Sequence, residues 1–430
     1  MLRVKTNFST NYCNNTKLAL FIRRMVVRPL LPSLIFVFVL TGATRSIYFQ
    51  NSPLQPITPQ NATNLIALAD IPVSGGTTED VIISTDRSVM LIEKFPSFAL
   101  SPPVNASDPD TYRETLQIWD LQSLTHRCTL FGHTGDVRYS DLSRDGQFAA
   151  SASTDGTLRV WRTSDCSEIS RISREGDYWT GLRFSPDSRL LTYIDAYDEP
   201  ETAKSYAALI DISQNFVEID RWEIDRVYLA GFSSDSRILA LVTANGEVYV
   251  VNIVNGAVRT YILELAPGDL PGDIWFGRDS HFLFVQVYSS ILVLLINETL
   301  DPVVYREAIR IFVGPHQYTH IGVIMTKSGQ VQATDLTSGQ TLATLPPRQV
   351  TGPYRGIDSS DKIIVTIKPA FINLYDVING SLLRQLPHEN VSNVMFSEDN
   401  RLLLSWSSGD SRMIMWGVPY GIFSATTQLG

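Results

Sequence analysis

Three groupings of side chains in this 430-residue chain are of the types that do chemistry. Gly132-His133 is followed by Asp155, and a histidine beside a carboxylate is how a general base is oriented. His316 and His320 lie four apart, which on a helix would turn two imidazoles toward one metal. The residues around them read as strand, where alternate positions share a face, and two ligands alone make no site, so no metal is expected. Cys128 and Cys166 are the cysteines that follow the N-terminal leader. Two thiols exclude a cysteine-ligated zinc site and a dense disulfide framework, and leave open one bridge or two buried free thiols. The chain has no G-x-S-x-G elbow, no G-x-x-x-x-G-K-[ST] phosphate loop, no H-E-x-x-H and no G-x-G-x-x-G. No catalytic, cofactor-binding or metal-binding residue is therefore assigned, no cofactor is expected, and the chain reads as a non-enzyme.

Charge narrows the partners. The chain has 35 basic and 44 acidic residues, and residues 1–43 hold six of the bases (Arg3, Lys5, Lys17, Arg23, Arg24, Arg28) and no acid. The remaining body carries 29 bases against 44 acids, a net charge near −15, which repels phosphate and argues against nucleic acid and anionic lipid. The leader itself reads as an export signal: Arg23, Arg24 and Arg28 precede the apolar run Leu30–Ala43, which ends in Thr41-Gly42-Ala43. Translation from Met25 would put the charged and apolar parts in signal order and make the first 24 residues an overlong start. An uncleaved anchor is the alternative and the one expected route to a membrane. The protein is accordingly expected to be secreted or extracytoplasmic. Residues 44–63, a mixture of proline and polar residues without alternation, read as a linker.

What must position any site is a repeat. From residue 81 the chain cycles through an apolar strand, a Ser-x-Asp-x turn, a second strand, a polar turn, and a third strand. The turns are STDRS (84–88), SRDGQ (143–147), SPDSR (185–189), SSDSR (233–237), GRDSH (277–281), GPHQ (314–317), SSDKI (359–363) and SEDNR (397–401). Third strands end at Asp120, Arg162, Asp211, Asn252, Asn297, Asp335, Asp376 and Gly417, spaced 38 to 49 residues apart. Short strands at a period near 42 are the mark of β-propeller blades, each of which buries its faces only against its neighbours. Seven units carry a fourth strand, and residues 64–72 have the pattern to supply the eighth. The expectation is an all-β chain forming a single closed β-propeller over residues 64–417, with eight four-stranded blades and the N-terminal strand completing the last. Seven blades is the alternative, and residues 418–430 form a tail.

Gly132-His133, Asp145-Gly146, Ser153, Asp155-Gly156-Thr157 and Trp161 fall at WD40 spacings, and Trp119-Asp120 supplies the WD dipeptide of the preceding unit. The chain thus resembles the WD40-repeat family, most strongly over residues 126–162 and more weakly over 64–420. The resemblance implies that His133, Ser153, Asp155 and Trp161 form a structural hydrogen-bonded network within one blade. It also implies a ring that serves as a protein-protein interaction scaffold.

Three insertions break the period: residues 96–114 and 195–205 between second and third strands, and 264–273 between a fourth strand and the next first strand. In a propeller, connections of these two kinds open on one face. They concentrate acids, so Phe98, Asp108, Asp110, Tyr112, Tyr197, Asp198, Glu199, Glu201, Asp269 and Asp273 are the candidate partner-binding residues, for a basic protein or peptide. The protein is expected to act as a monomer. An enzyme, or a small-ligand or metal binder using the axial funnel, is the alternative.

Overall fold

The computed structural model describes residues 54–73, 77–95, 115–174, 179–196, 204–263, 265, 269–287, 290–296, 303–305, 308–312, 320–326, 330–345, 354–357, 362–407 and 412–419. Apart from one 3-10 turn at Ala62–Asn64, every element in them is a strand, as the β-branched and aromatic content favours. The strands form seven four-stranded sheets and one five-stranded sheet, all neighbours antiparallel. Sheet 1 runs from Thr77–Ile83 to Thr125–Leu130, sheet 2 from Val137–Leu142 to Glu168–Ser173, and sheet 3 from Trp179–Phe184 to Val217–Asp225. Sheet 4 runs from Val227–Phe232 to Val258–Ile262, sheet 5 from Pro271–Phe276 to Val303–Tyr305, sheet 6 from Ala308–Phe312 to Thr341–Leu345, and sheet 7 from Tyr354–Ile357 to Leu382–Pro387.

Sheet 8 joins the two ends of the described chain. Asn393–Phe396, Leu402–Trp406 and Arg412–Pro419 follow one another, and Ile66–Pro72 pairs antiparallel with Arg412–Gly417. Arg412 clasps the Asp70 carboxylate across this seam at 2.7–3.2 Å. Eight clusters of buried side chains lie between sheets, each drawing on two consecutive ones. The cluster that matters for closure packs Val81, Met90 and Ile92 of sheet 1 against Leu404, Met413 and Met415 of sheet 8. Neither sheet could bury these side chains alone, so apolar burial couples first to last.

Two boundaries differ from the sequence reading. Residues 54–63, read as linker, belong to the body: Leu54–Gln55 pairs with Val418–Pro419, Leu54 and Ile57 are buried, and Ile57 N–H donates to Asn400 O at 2.6 Å. Pro53, Pro56 and Pro59 shorten the strand to two residues and hide its pattern, while Leu54 and Ile57 still find apolar pockets against the last sheets. Val418 and Pro419, read as the start of a tail, continue the final strand for the same reason. The leader lies outside the described residues.

Candidate functional site

Nine aspartates among the described residues are occupied in turns. Ser84, Ser143, Ser185, Ser233 and Ser397 each donate from Oγ to the aspartate two residues on, at 2.6–2.8 Å. The same oxygens accept the backbone N–H five residues on, at 2.9–3.0 Å, which closes each turn without a ladder partner. Adjacent sheets are stitched at this level: Asp145 N–H donates to Ser188 Oγ at 3.0 Å and Asp187 N–H to Ser236 Oγ at 2.9 Å. Asp120, Asp211, Asp335 and Asp376, at the ends of third strands, accept the N–H two residues on at 2.7–3.0 Å. These acids hold backbone in place and are poor candidates for partners.

The His133 site is a network in sheet 2. Its Nδ1 lies 3.1 Å from Asp155 Oδ2, and its Nε2 lies 2.7 Å from Ser151 Oγ, which accepts Trp161 Nε1–H at 2.9 Å. A carboxylate only accepts, so the imidazole proton sits on Nδ1 and Nε2 accepts from the serine hydroxyl. Burial lowers the His133 pKa, outweighing the opposing pull of Asp155. Burial alone would raise Asp155, but hydrogen bonds from Thr157, the Thr134 N–H and His133 hold it well below the usual carboxylate range. Gly132 sits at φ +147°, and a Cβ there would collide with the Arg159 guanidinium, which explains glycine before the histidine.

Serine, histidine and carboxylate in line have the form of a nucleophilic triad. Here Ser151 is 0% exposed and Trp161 points its N–H at the serine oxygen, so no reacting carbonyl can reach it. The network is structural. Its serine is Ser151 and not Ser153, as the sequence reading had it; Ser153 Oγ accepts Asp155 N–H at 3.1 Å. Both serines lie on one face of the same strand, and the level of His133 selects the former.

A second such network escaped the sequence reading. In sheet 8, His388 Nδ1 lies 2.8 Å from Ser405 Oγ, which accepts Trp416 Nε1–H at 2.8 Å. The signal was a serine eleven residues before a tryptophan, against ten in sheet 2, with no glycine before the histidine.

The acidic insertions are only partly visible. Phe98, Asp108, Asp110, Tyr112, Tyr197, Asp198, Glu199 and Glu201 lie outside the described residues. The strands that flank their segments are described: Val89–Phe95 and Thr115–Asp120, then Leu190–Ala196 and Lys204–Asp211. Strand alternation puts these two connections, and the one between Val258–Ile262 and Pro271–Phe276, at the same end of their sheets. Asp269 is half-buried in that third connection. Asp195 belongs to a strand and is buried, with Arg174 Nε 3.7 Å away, and burial raises its pKa against that cation.

Asp273 is a correction. Read as a rim residue, it lies on the first strand of sheet 5 just past a bulge, because the insertion ends where Pro271 pairs with Val287. Its side chain lines an axial cavity of about 580 Å³. The residues two before the turn in successive sheets line the same space: Ile82, Asp141, Arg183, Gly231, Trp275 and Met395. Asp141 accepts Phe184 N–H at 2.7 Å and Leu142 N–H at 2.9 Å. Burial pushes its pKa up to about 6 despite the attraction of Arg183. Among the described residues no group of three histidine, cysteine or acidic side chains is arranged to hold a metal. His320 of the paired-histidine motif instead accepts Arg278 N–H at 3.2 Å, and His316 lies outside the described residues.

Residues 124–162 match the family model described as WD domain, G-beta repeat. The β-propeller domain of Myceliophteria thermophila Cps50 (Swd1) is similar at 13% identity and a TM-score of 0.50, covering 82% of this chain and 99% of that one. The chain has a β-propeller fold and carries a repeat similar to the WD40 type. The computationally designed Ika8 protein shares the fold of this propeller, with a TM-score of 0.57, 18% identity, and coverage of 81% and 98%. Sequence relatives match in part: apoptotic protease-activating factor 1 of Homo sapiens is 40% identical over 92 residues, which is 20% of this chain and 7% of that protein. Transducin beta-like protein 2 of Homo sapiens is 35% identical over 74 residues, 16% of this chain and 17% of that one. The propeller thus spans a small part of the curated relatives it matches.

Proposed function

We propose that the chain is an exported, closed eight-bladed propeller that works as a monomeric, non-enzymatic platform, and that its long-loop face contacts a basic protein or peptide. The observation that carries this reading is that all three acidic insertions connect at one end of their sheets. A ring of packed sheets holds such loops at fixed spacing, so little ordering entropy opposes binding. Aspartates in the turns at the opposite end are held by hydrogen bonds from neighbouring serine hydroxyls and backbone N–H groups, which makes that end a poorer acidic surface. Eight inter-sheet clusters, one joining sheet 8 to sheet 1, support closure and the blade count. WD40 relatives support a protein partner in general. The Cys128–Cys166 bond supports an oxidising compartment, since disulfides persist there and not in the cytosol.

The test is binding of a fluorescent lysine-rich peptide at low and high salt. The intact chain should bind it, lose most of that affinity at high salt, and lose it also in the triple variant Asp198→Lys, Glu199→Lys, Glu201→Lys. Equal binding by the triple variant would remove the basis for the rim.

A further inference from the structure

Fourth strands form the outer edges of sheets 1 to 7, and a ring of sheets normally leaves such edges short and protected. As described, those of the other six sheets are three to six residues long. That of sheet 3, Val217–Asp225, has nine residues and pairs on one side alone, with Lys204–Asp211. A bulge at Ile219 interrupts its start, and from Asp220 to Asp225 the ladder with Lys204–Leu209 is unbroken. The strand contains no proline or lysine, the residues that commonly blunt an edge. Alternate N–H and C=O groups along it point outward, away from the sheet. Trp222 and Ile224 share one face with Asp220 and are only half-buried, against the cluster between sheets 3 and 4. Glu218 is taken by Arg174 at 3.0 Å and Arg221 at 2.8 Å, and Lys204 stands opposite Asp225 in the ladder. Asp220 is exposed and, among the described residues, accepts only the Arg221 N–H, at 3.0 Å.

We propose that this edge takes up an extended basic peptide as a fifth, antiparallel strand of sheet 3. Backbone hydrogen bonds supply the affinity and alternate side chains the specificity. On the face of Asp220 the added strand places a lysine or arginine opposite that carboxylate, and β-branched residues opposite Trp222 and Ile224, whose remaining apolar surface they cover. The chain already completes sheet 8 in this manner: Ile66–Pro72 adds to the edge at Arg412–Gly417, and Arg412 of one strand meets Asp70 of the other at 2.7 Å. A second copy is the poorer occupant, because it would set the four acids and one base of Val217–Asp225 against the same set, on bodies that each carry a net charge near −15. The proposal draws on the backbone of an outer edge and does not rest on the long-loop face.

The probe is the capped heptapeptide TVTVTKT, compared with the same peptide N-methylated at every backbone nitrogen and with TVTVTET. Hydrogen exchange of the intact chain, read by mass spectrometry, should show amides of Val217–Asp225 slowed at least tenfold by the lysine peptide, with those of Val258–Ile262, the outer strand of sheet 4, unchanged. Fluorescence anisotropy should give at least tenfold weaker binding of the N-methylated form, which keeps every side chain and the charge but cannot pair. The glutamate peptide should bind at least threefold more weakly than the lysine peptide. Asp220→Lys alters one exposed side chain, so its circular dichroism melt should stay cooperative while the order of the two peptides reverses. Charge reversal at Asp198, Glu199 and Glu201 should leave the protection of Val217–Asp225 in place, which separates this edge from the long-loop face. Binding of the N-methylated peptide equal to that of its parent, no protection of Val217–Asp225, loss of that protection in the loop variant, or an unreversed preference in Asp220→Lys would each overturn the proposal.

Discussion

Replacing Ser151 by alanine tests whether the sheet 2 network is wired as described. The hydroxyl holds two buried partners, His133 Nε2 at 2.7 Å and Trp161 Nε1 at 2.9 Å. Its loss strands an indole N–H and an imidazole nitrogen in a buried site, and each buried unmet polar group costs about 1–3 kcal/mol. Ser151→Ala should therefore destabilise the fold by about 2–4 kcal/mol. Ser153→Ala removes a single acceptor, for the Asp155 N–H at 3.1 Å, and should cost about 1 kcal/mol. Urea unfolding followed by tryptophan fluorescence and far-ultraviolet circular dichroism gives the comparison, provided both signals move together with an unchanged slope. A cycle with His133→Ala should be non-additive, because either substitution breaks the same contact. The wiring is wrong if Ser153→Ala proves as damaging as Ser151→Ala, or if His133 and Ser151 substitutions simply add.

Further outcomes follow from the same structure. Ser405→Ala should cost as much as Ser151→Ala, since Ser405 bridges His388 and Trp416 at 2.8 Å each; an effect under about 0.5 kcal/mol contradicts the second network. Reduction of Cys128–Cys166 releases a constraint over a sequence separation of 38 residues, worth about 4 kcal/mol on the chain-entropy model, so thermal unfolding with and without reductant should differ by several degrees. Asp141 keeps its proton in the fold up to about pH 6, whereas the unfolded chain releases it near 3.8, as an ordinary aspartate does. Between those values the folded state holds more protons, so this residue's contribution falls as pH rises from about 4 to 6 and is level above. Asp141→Asn should remove that slope from a stability-against-pH curve. The Phe184 N–H loses part of its acceptor in this variant, which shifts the whole curve, but only the carboxyl sets the slope.

The repeat was legible because its punctuation is local. A serine that donates to an aspartate two residues on and accepts an N–H five residues on needs nothing from the rest of the chain, so Ser84 and Ser397 carry the same spelling although they lie more than 300 residues apart in sequence. Pairing of Ile66–Pro72 with the last strand was also readable, because residues 64–72 have the pattern of the fourth strand that the last unit lacks. What escaped depends on tertiary placement. Period-two alternation puts Ser151 and Ser153 on one face and cannot say which meets His133. Asp273 reads as loop by its neighbours Gly268 and Pro271, yet pairing of Pro271 with Val287 draws it into the axial cavity. Leu54 and Ile57 are two apolar residues among prolines, and only the pockets between the last sheets give them meaning.

Closure of the ring by the N-terminal strand is most directly tested by amide hydrogen exchange, read by mass spectrometry, of the peptide spanning Ile66–Pro72 in the intact chain. The account predicts that these amides are protected to the same degree as those of Arg412–Gly417, their ladder partners, because one cannot open without the other. Exchange of Ile66–Pro72 at the rate of an unstructured peptide, with Arg412–Gly417 still protected, would contradict it.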